Sequence, residues 1–314
     1  MNVVELSFAE RYQLAKLMAE TTTEYTEQDF RPYLARCLGE GGQLPERLVS
    51  ALATLSQPHL NEGFLLIRNL PLPDMGFTPL SRRKTISDSG LNRTKHLKTL
   101  INSQIGIVYT FDSKQNQDHV ESIFPIREDA NRQINSNSDF LEWHVEDGFH
   151  PLRADFVSLL CLRGDPDAFT YICPMSYVDL ADDVLDTLTQ PRYLIQVDDT
   201  FNQMVARLQF KTSVFDSSQR NEVVYDPSYM SCLDPEAERA FRLLGEQIQA
   251  KHLAIALKAG DMLIFDNKKV VHARSPYSPR YDGTDRWLLR SLMLDSVKDA
   301  SLLGTSLLAN SGVS

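Results

Sequence analysis

The chain has few cysteines, no long apolar run and no excess of positive charge, and each shortage removes a class of protein. Its four cysteines, Cys37, Cys161, Cys173 and Cys232, stand far apart and form neither a CxxC pair nor a dense framework, which excludes a disulfide scaffold and a cysteine-built zinc module. They read as reduced, small, buried apolar residues of a cytoplasmic protein. No stretch approaches the roughly 18 consecutive apolar residues of a membrane span. Met1 to Glu20 carries Glu5, Glu10, Arg11 and Lys16 where a signal peptide would be uninterrupted, so no membrane partner is expected. Lys and Arg total 32 against 42 Asp and Glu, a net charge of −10, and a nucleic-acid partner is not expected either. Internal repeats, low-complexity tracts and Pro-, Gly- or Ser-rich linkers are lacking too. The 314 residues therefore read as a single domain (1–314), with an N-terminal helical collar over 1–60, a β-rich core over 63–295 and a C-terminal tail over 296–314.

What is present is a change of period near residue 60. Before it, Ser7 and Glu10 form a capping box ahead of an amphipathic run, and Leu44 to Leu55 repeats the helical period until Pro58. After Gly63 come short β-rich runs: Phe64 to Ile67, Ile105 to Phe111, Val120 to Phe124, Phe156 to Leu162, Tyr193 to Val197, Glu222 to Tyr225, Met262 to Phe265 and Trp287 to Leu294. Helices are expected over Tyr177 to Leu188 and Asp234 to Lys251, and polar loops over Pro79 to Asn102 and Asp112 to Gln117. Many short strands between turns point to a mainly β sandwich or barrel with helical additions.

His144-Val145-Glu146 is the first candidate for chemistry, because residues i and i+2 of a strand share a face and can offer an imidazole and a carboxylate to one metal ion. Composition alone predicts about one His-x-acid match by chance, and His119-Val120-Glu121 is a second. Context favours the first, which lies where a strand ends and Asp147-Gly148 begins a turn. Downstream, Ala259 to Asn267 reads as turn, strand and turn, and delivers Val270-Val271-His272. Two histidines and one acid on one side of an ion leave positions open, as non-haem iron oxygenases and catalytic zinc hydrolases both require. A metal-free jelly roll binding an organic acid is a third reading. In Asp285-Arg286-Trp287-Leu288-Leu289-Arg290, alternation sets Arg286, Leu288 and Arg290 on one face, and each arginine needs an anion from protein or ligand.

The blocks LEWHVEDGFHPLRADFVSLLCLR, AGDMLIFDNKKVVHAR and DGTDRWLLR together resemble the clavaminate synthase-like family of Fe(II)/2-oxoglutarate oxygenases, especially its arginine, lysine and asparagine hydroxylases. The resemblance implies a double-stranded β-helix (jelly roll, cupin-like) and hydroxylation of an unactivated side-chain carbon of an amino acid by Fe(II), 2-oxoglutarate and O2, with release of succinate and CO2. It implies His144, Glu146 and His272 as iron ligands, and Arg286, helped by Thr170, for the distal carboxylate of 2-oxoglutarate. Arg290 would take the substrate α-carboxylate, Gln115 the amine, and Asp226 the side chain. The acid at Asp226 makes free lysine or arginine the expected substrate.

Overall fold

A computed structural model describes residues 2–55, 57, 61–81, 89–111, 118–198, 201, 208–216 and 222–295. Gln115, the expected loop at 112–117 and the tail at 296–314 lie outside them. In chain order the strands are β1 (Val3–Glu5), β2 (Phe64–Arg68), β3 (Ile107–Tyr109), β4 (Glu121–Ile123), β5 (Leu141–His144), β6 (Phe156–Arg163) and β7 (Phe169–Pro174). They continue with β8 (Tyr193–Gln196), β9 (Gln209–Thr212), β10 (Met230–Cys232), β11 (Leu253–Ala256), β12 (Met262–Asp266), β13 (Val270–Arg274) and β14 (Trp287–Leu294). The helices are α1 (Phe8–Glu20), α2 (Phe30–Glu40), α3 (Glu46–Leu55), α4 (Ser89–Asn102), α5 (Asp182–Leu188) and α6 (Pro235–Lys251). A seven-stranded sheet runs β1-β2-β12-β6-β14-β3 with β4 also on β14, a four-stranded sheet runs β11-β7-β13-β5, and a three-stranded sheet runs β10-β8-β9.

Period-2 alternation sorts the strand residues into layers. In β12, Met262 and Ile264 join the core that the large sheet shares with the helical collar, where Leu14, Leu48, Leu52, Leu97 and Leu100 pack. Leu263 and Phe265 turn the other way, into a core shared with Ile172, Ile255 and Val270 of the four-stranded sheet. The outer face of that smaller sheet, with Trp143, Cys173, Val271 and Ala273, is covered by α5 and α6 through Leu188, Ala237, Leu244 and Ile248. The space between the two sheets is thus walled on both sides, and the side chains of β5, β7, β13 and β14 that are too polar for it gather at one end.

The Ser7–Glu10 capping box is formed, with Ser7 N donating to Glu10 Oε2 at 2.8 Å and Glu10 N to Ser7 Oγ at 3.3 Å. Asp234 caps α6, as Asp-Pro implied. Three cysteines are buried and Cys232 is half-buried. At Gly260, φ is +86° and a Cβ would stand 2.6 Å from the Leu70 carbonyl, so only glycine fits the turn into β12.

Four expectations are corrected. Residues 89–102, read as loop, form α4. Leu91, Leu97, Leu100 and Ile101 anchor it, but Thr94, His96, Lys98, Thr99 and Asn102 are buried as well, so no polar face marks it. Thr94 and Thr99 return their hydroxyls to the carbonyls of Gly90 and Lys95, both at 2.9 Å. Glu222 to Tyr225 contributes only an isolated bridge, Phe215 to Val223, instead of a strand. The helix expected from Tyr177 begins at Asp182, after a 3-10 turn at Met175–Tyr177. β1 lies within the stretch read as helical and pairs in parallel with β2, being too short to display a period.

Lys98 is 0% exposed, and its Nζ donates to the carbonyl (3.3 Å) and hydroxyl of Ser158. Burial, reinforced by Arg290, holds the amine well below the ordinary 10.5. Between the lowered folded value and 10.5 the unfolded chain binds a proton that the folded chain does not, so stability is expected to rise with pH across that window. Each pH unit of the window is worth about 1.4 kcal/mol. Denaturant unfolding at stepped pH checks this, and the alkaline rise should flatten in Lys98→Met.

Candidate active site

β5 and β13 are antiparallel neighbours whose register sets His144 directly opposite His272. Their ring centroids are 4.1 Å apart. Glu146 follows His144 by two residues and turns to the same side. Asp147, at φ +52°, then bends the chain out of the strand direction, a left-handed conformation that aspartate tolerates better than most residues. Ligand atoms of His144, Glu146 and His272 all lie within 4.8 Å of one another. The His144 Nδ1 is 2.7 Å from the Glu142 carbonyl; a carbonyl only accepts, so Nδ1 carries the proton and Nε2 keeps its lone pair for a cation. His272 Nδ1 is buried with no hydrogen-bond partner. Burial first, then the neighbouring His144, lowers the His272 pKa well below the usual range, which keeps the imidazole in its ligating form. Two imidazoles and one carboxylate on one side of a common point fit the donor set of a non-haem iron centre with open positions.

Asn267 fixes the carboxylate arm. It is 0% exposed; its Oδ1 accepts from Glu146 N at 2.8 Å, and its Nδ2 donates to the carbonyls of Glu146 (2.9 Å) and Ala154 (3.0 Å). The turn between β12 and β13 therefore holds the peptide of Glu146 in place. The rival motif is split between two jobs. His119 binds Glu27 through Nδ1 at 2.8 Å and stacks on Phe30 at 3.6 Å, away from the cluster. Glu121 instead accepts from Arg290 Nε (3.0 Å) and Nη2 (2.5 Å).

Arg290 also donates to Glu146, and Asn135, oriented with its amide oxygen toward the guanidinium, accepts from Nη1 at 2.7 Å and Nη2 at 3.1 Å. Burial opposes the charge on Arg290, but Glu121 and Glu146 outweigh it and hold the pKa above the ordinary arginine value. Among the described residues Arg286 has no such partner: its Nη2 donates to Thr170 Oγ1 at 3.3 Å, and burial lowers its pKa. Arg286, Thr170, Arg274, Arg290, His272 and Glu146 line one cavity.

A second cleft opens beside Glu146 and Arg290. Glu142, Glu146, Asp147, Asp198 and Asp226 line it, with Arg290 the sole Lys or Arg among the described lining residues. Asp226 caps its own turn, accepting from Ser228 N (3.0 Å) and Tyr229 N (3.3 Å), and still faces the cleft. Burial pushes its carboxyl up to about 6, against the lowering effect of His144. Sequence reading overlooked Asn267, Arg274, Asn135 and Asp198, and assigned Glu121 no task. Arg274 alone carried a usable signal, two residues beyond His272 in the same strand.

The model of the taurine catabolism dioxygenase TauD, TfdA family matches residues 187–292. An L-asparagine oxygenase of Streptomyces coelicolor is 30% identical over 267 residues, covering 81% of this chain and 78% of its own. An enduracididine beta-hydroxylase of Streptomyces hygroscopicus is 29% identical over 300 residues, covering 86% and 88%. Among solved structures, the non-haem iron oxygenase OrfP with Fe, succinate and (3S)-hydroxy-L-Arg superposes with a TM-score of 0.86 at 27% identity, over 96% of both chains. OrfP has also been solved with Fe and alpha-ketoglutaric acid, at a TM-score of 0.84 and 27% identity over 95% of this chain and 96% of that one. With the His-Glu-His cluster and the arginine-lined cavity behind it, these matches make the chain a member of the clavaminate synthase-like family of Fe(II)/2-oxoglutarate-dependent oxygenases.

Proposed function

We propose that the protein hydroxylates a side-chain carbon of a free L-amino acid with a basic side chain, lysine or arginine, using 2-oxoglutarate and O2 and releasing succinate and CO2. The observation that carries this reading is the lining of the outer cleft, where the carboxylates of Glu142, Asp147, Asp198 and Asp226 stand beyond Arg290. An ammonium or guanidinium group meets charge complementarity there, which a neutral side chain does not offer. The α-carboxylate of the substrate has a counterpart in the same cleft, the Arg290 guanidinium, which Glu121 holds from behind. The two packed sheets we read as the double-stranded β-helix.

In this reading His144, Glu146 and His272 hold iron, which with 2-oxoglutarate and O2 supplies the oxidising chemistry. The protein's own part is positioning. Arg286 orients the oxo acid by its distal carboxylate, with Thr170 keeping the guanidinium in plane. Arg290 receives the α-carboxylate of the substrate. Because Arg290 touches Glu146, a carboxylate held there leaves the carbons next to Cα nearest the metal, and the β-carbon is the position we expect to be attacked. The names of the relatives, a beta-hydroxylase and an oxygenase crystallised with (3S)-hydroxy-L-Arg, agree with that position.

Screening the twenty amino acids for substrate-coupled succinate formation tests the proposal. Lysine or arginine should lead, and Asp226→Asn should reduce that preference by about tenfold, since a charged hydrogen bond is worth on the order of 1.5–3 kcal/mol. Strong turnover of asparagine or another neutral amino acid, with lysine and arginine inert, would refute it. Fragmentation of the product locates the hydroxyl.

A further inference from the structure

Arg274 lies two residues beyond His272 in β13, on the same inward face, and opposite Thr170 in register. It is 4% exposed. Its Nη2 donates to the Asn137 side chain and to the Asp139 carbonyl (2.6 Å), and the guanidinium lies 4.8 Å from the centroid of the Tyr277 ring. Nε and Nη1 are buried without a hydrogen-bond partner. Buried polar atoms are nearly always satisfied, so an orphaned pair on a cation asks for an anion. The cavity that Arg274 lines also contains Arg286, and Glu146, the one carboxylate among its described lining residues, is engaged by Arg290.

We infer that Arg274 is a second guanidinium of the co-substrate site, sharing the distal carboxylate of 2-oxoglutarate with Arg286 and Thr170. A carboxylate offers about four lone-pair sites, more than Arg286 fills. Thr170 accepts from Arg286 and keeps its own hydroxyl proton to donate, and Arg274 adds one more donor. Asn137 and Asp139 already fix the Arg274 guanidinium, so little freedom is lost when the anion arrives. The bland alternative is a strut: Arg274 would only tie the segment before β5 to β13.

The inference rests on assigning Arg286 to the same carboxylate, and calorimetric titration of the metal-loaded protein separates the two. Wild type, Arg274→Gln, Arg274→Lys and Arg286→Gln are titrated with 2-oxoglutarate, succinate and 2-oxovalerate, which lacks the distal carboxylate. Arg274→Gln should weaken 2-oxoglutarate and succinate by about tenfold or more and leave 2-oxovalerate unchanged. Arg274→Lys, included in case the Gln variant does not fold, should show a smaller loss confined to the dicarboxylates. An undiminished affinity for 2-oxoglutarate, or equal losses for 2-oxoglutarate and 2-oxovalerate, would identify a strut and overturn the inference. A loss of dicarboxylate binding in Arg274→Gln but not in Arg286→Gln would instead overturn the Arg286 assignment and support Arg274.

Discussion

Alanine at His144 or at His272 is expected to abolish turnover and to weaken metal binding by more than about a hundredfold, exceeding the roughly 10- to 100-fold cost of losing a group that merely orients a ligand. Each imidazole supplies one of three donors that converge within 4.8 Å, and no other imidazole belongs to that cluster among the described residues. The control is His119→Ala. His119 spends its ring on Glu27 and Phe30, so that variant should keep both metal affinity and activity. Titration with a divalent ion, alongside succinate release, reads the two effects separately. An active His144→Ala beside a folded but inactive His119→Ala would reverse the assignment.

Arg286→Ala and Arg290→Ala should fail in different ways. Loss of Arg286 removes a charge-assisted pair to the co-substrate and should raise the 2-oxoglutarate KM about ten- to a hundredfold, with little effect on the amino-acid KM. Loss of Arg290 should raise the amino-acid KM instead. It should also disturb metal affinity, because it strands Glu121 and Glu146, two carboxylates that the guanidinium now neutralises. Lysine should rescue neither, since a point charge cannot reproduce the fork. If both variants changed only the 2-oxoglutarate KM, separate tasks for the two arginines would be refuted.

The elements legible in the sequence are those whose burial is one-sided and whose ends carry chemistry. α1 announces itself by Ser7 and Glu10, α6 by Asp234-Pro235, and β12 and β14 by apolar runs between turns. α4 escapes because its threonines, Lys98 and Asn102 are buried by tertiary partners that no local window contains. The metal cluster was readable from His144, Glu146 and His272 once the downstream block was considered, but composition alone gave His119-Val120-Glu121 equal standing. The strand-turn context favoured His144, and the fold gives the reason, turning His119 toward the helical collar and Glu121 toward Arg290. Asn267 was visible as part of a turn, yet its grip on Glu146 joins residues far apart in the chain. For Arg290, the sequence face was right and its neighbours were unknowable: two protein carboxylates already occupy the guanidinium assigned to the substrate.

The cross-strand pairing of His144 with His272 has a consequence for the mechanics of the smaller sheet. β5 is one of its two edge strands, four residues long, and its register with β13 shifts between His272 and Arg274. A short, irregular edge strand has few ladder bonds to resist fraying. An ion gripping one histidine on each strand is a clasp across that weak seam, and its binding free energy is added to the seam's own cohesion by mass action. Metal loading and local order at β5 are therefore one equilibrium, and the edge is firmest when the centre is charged with its ion.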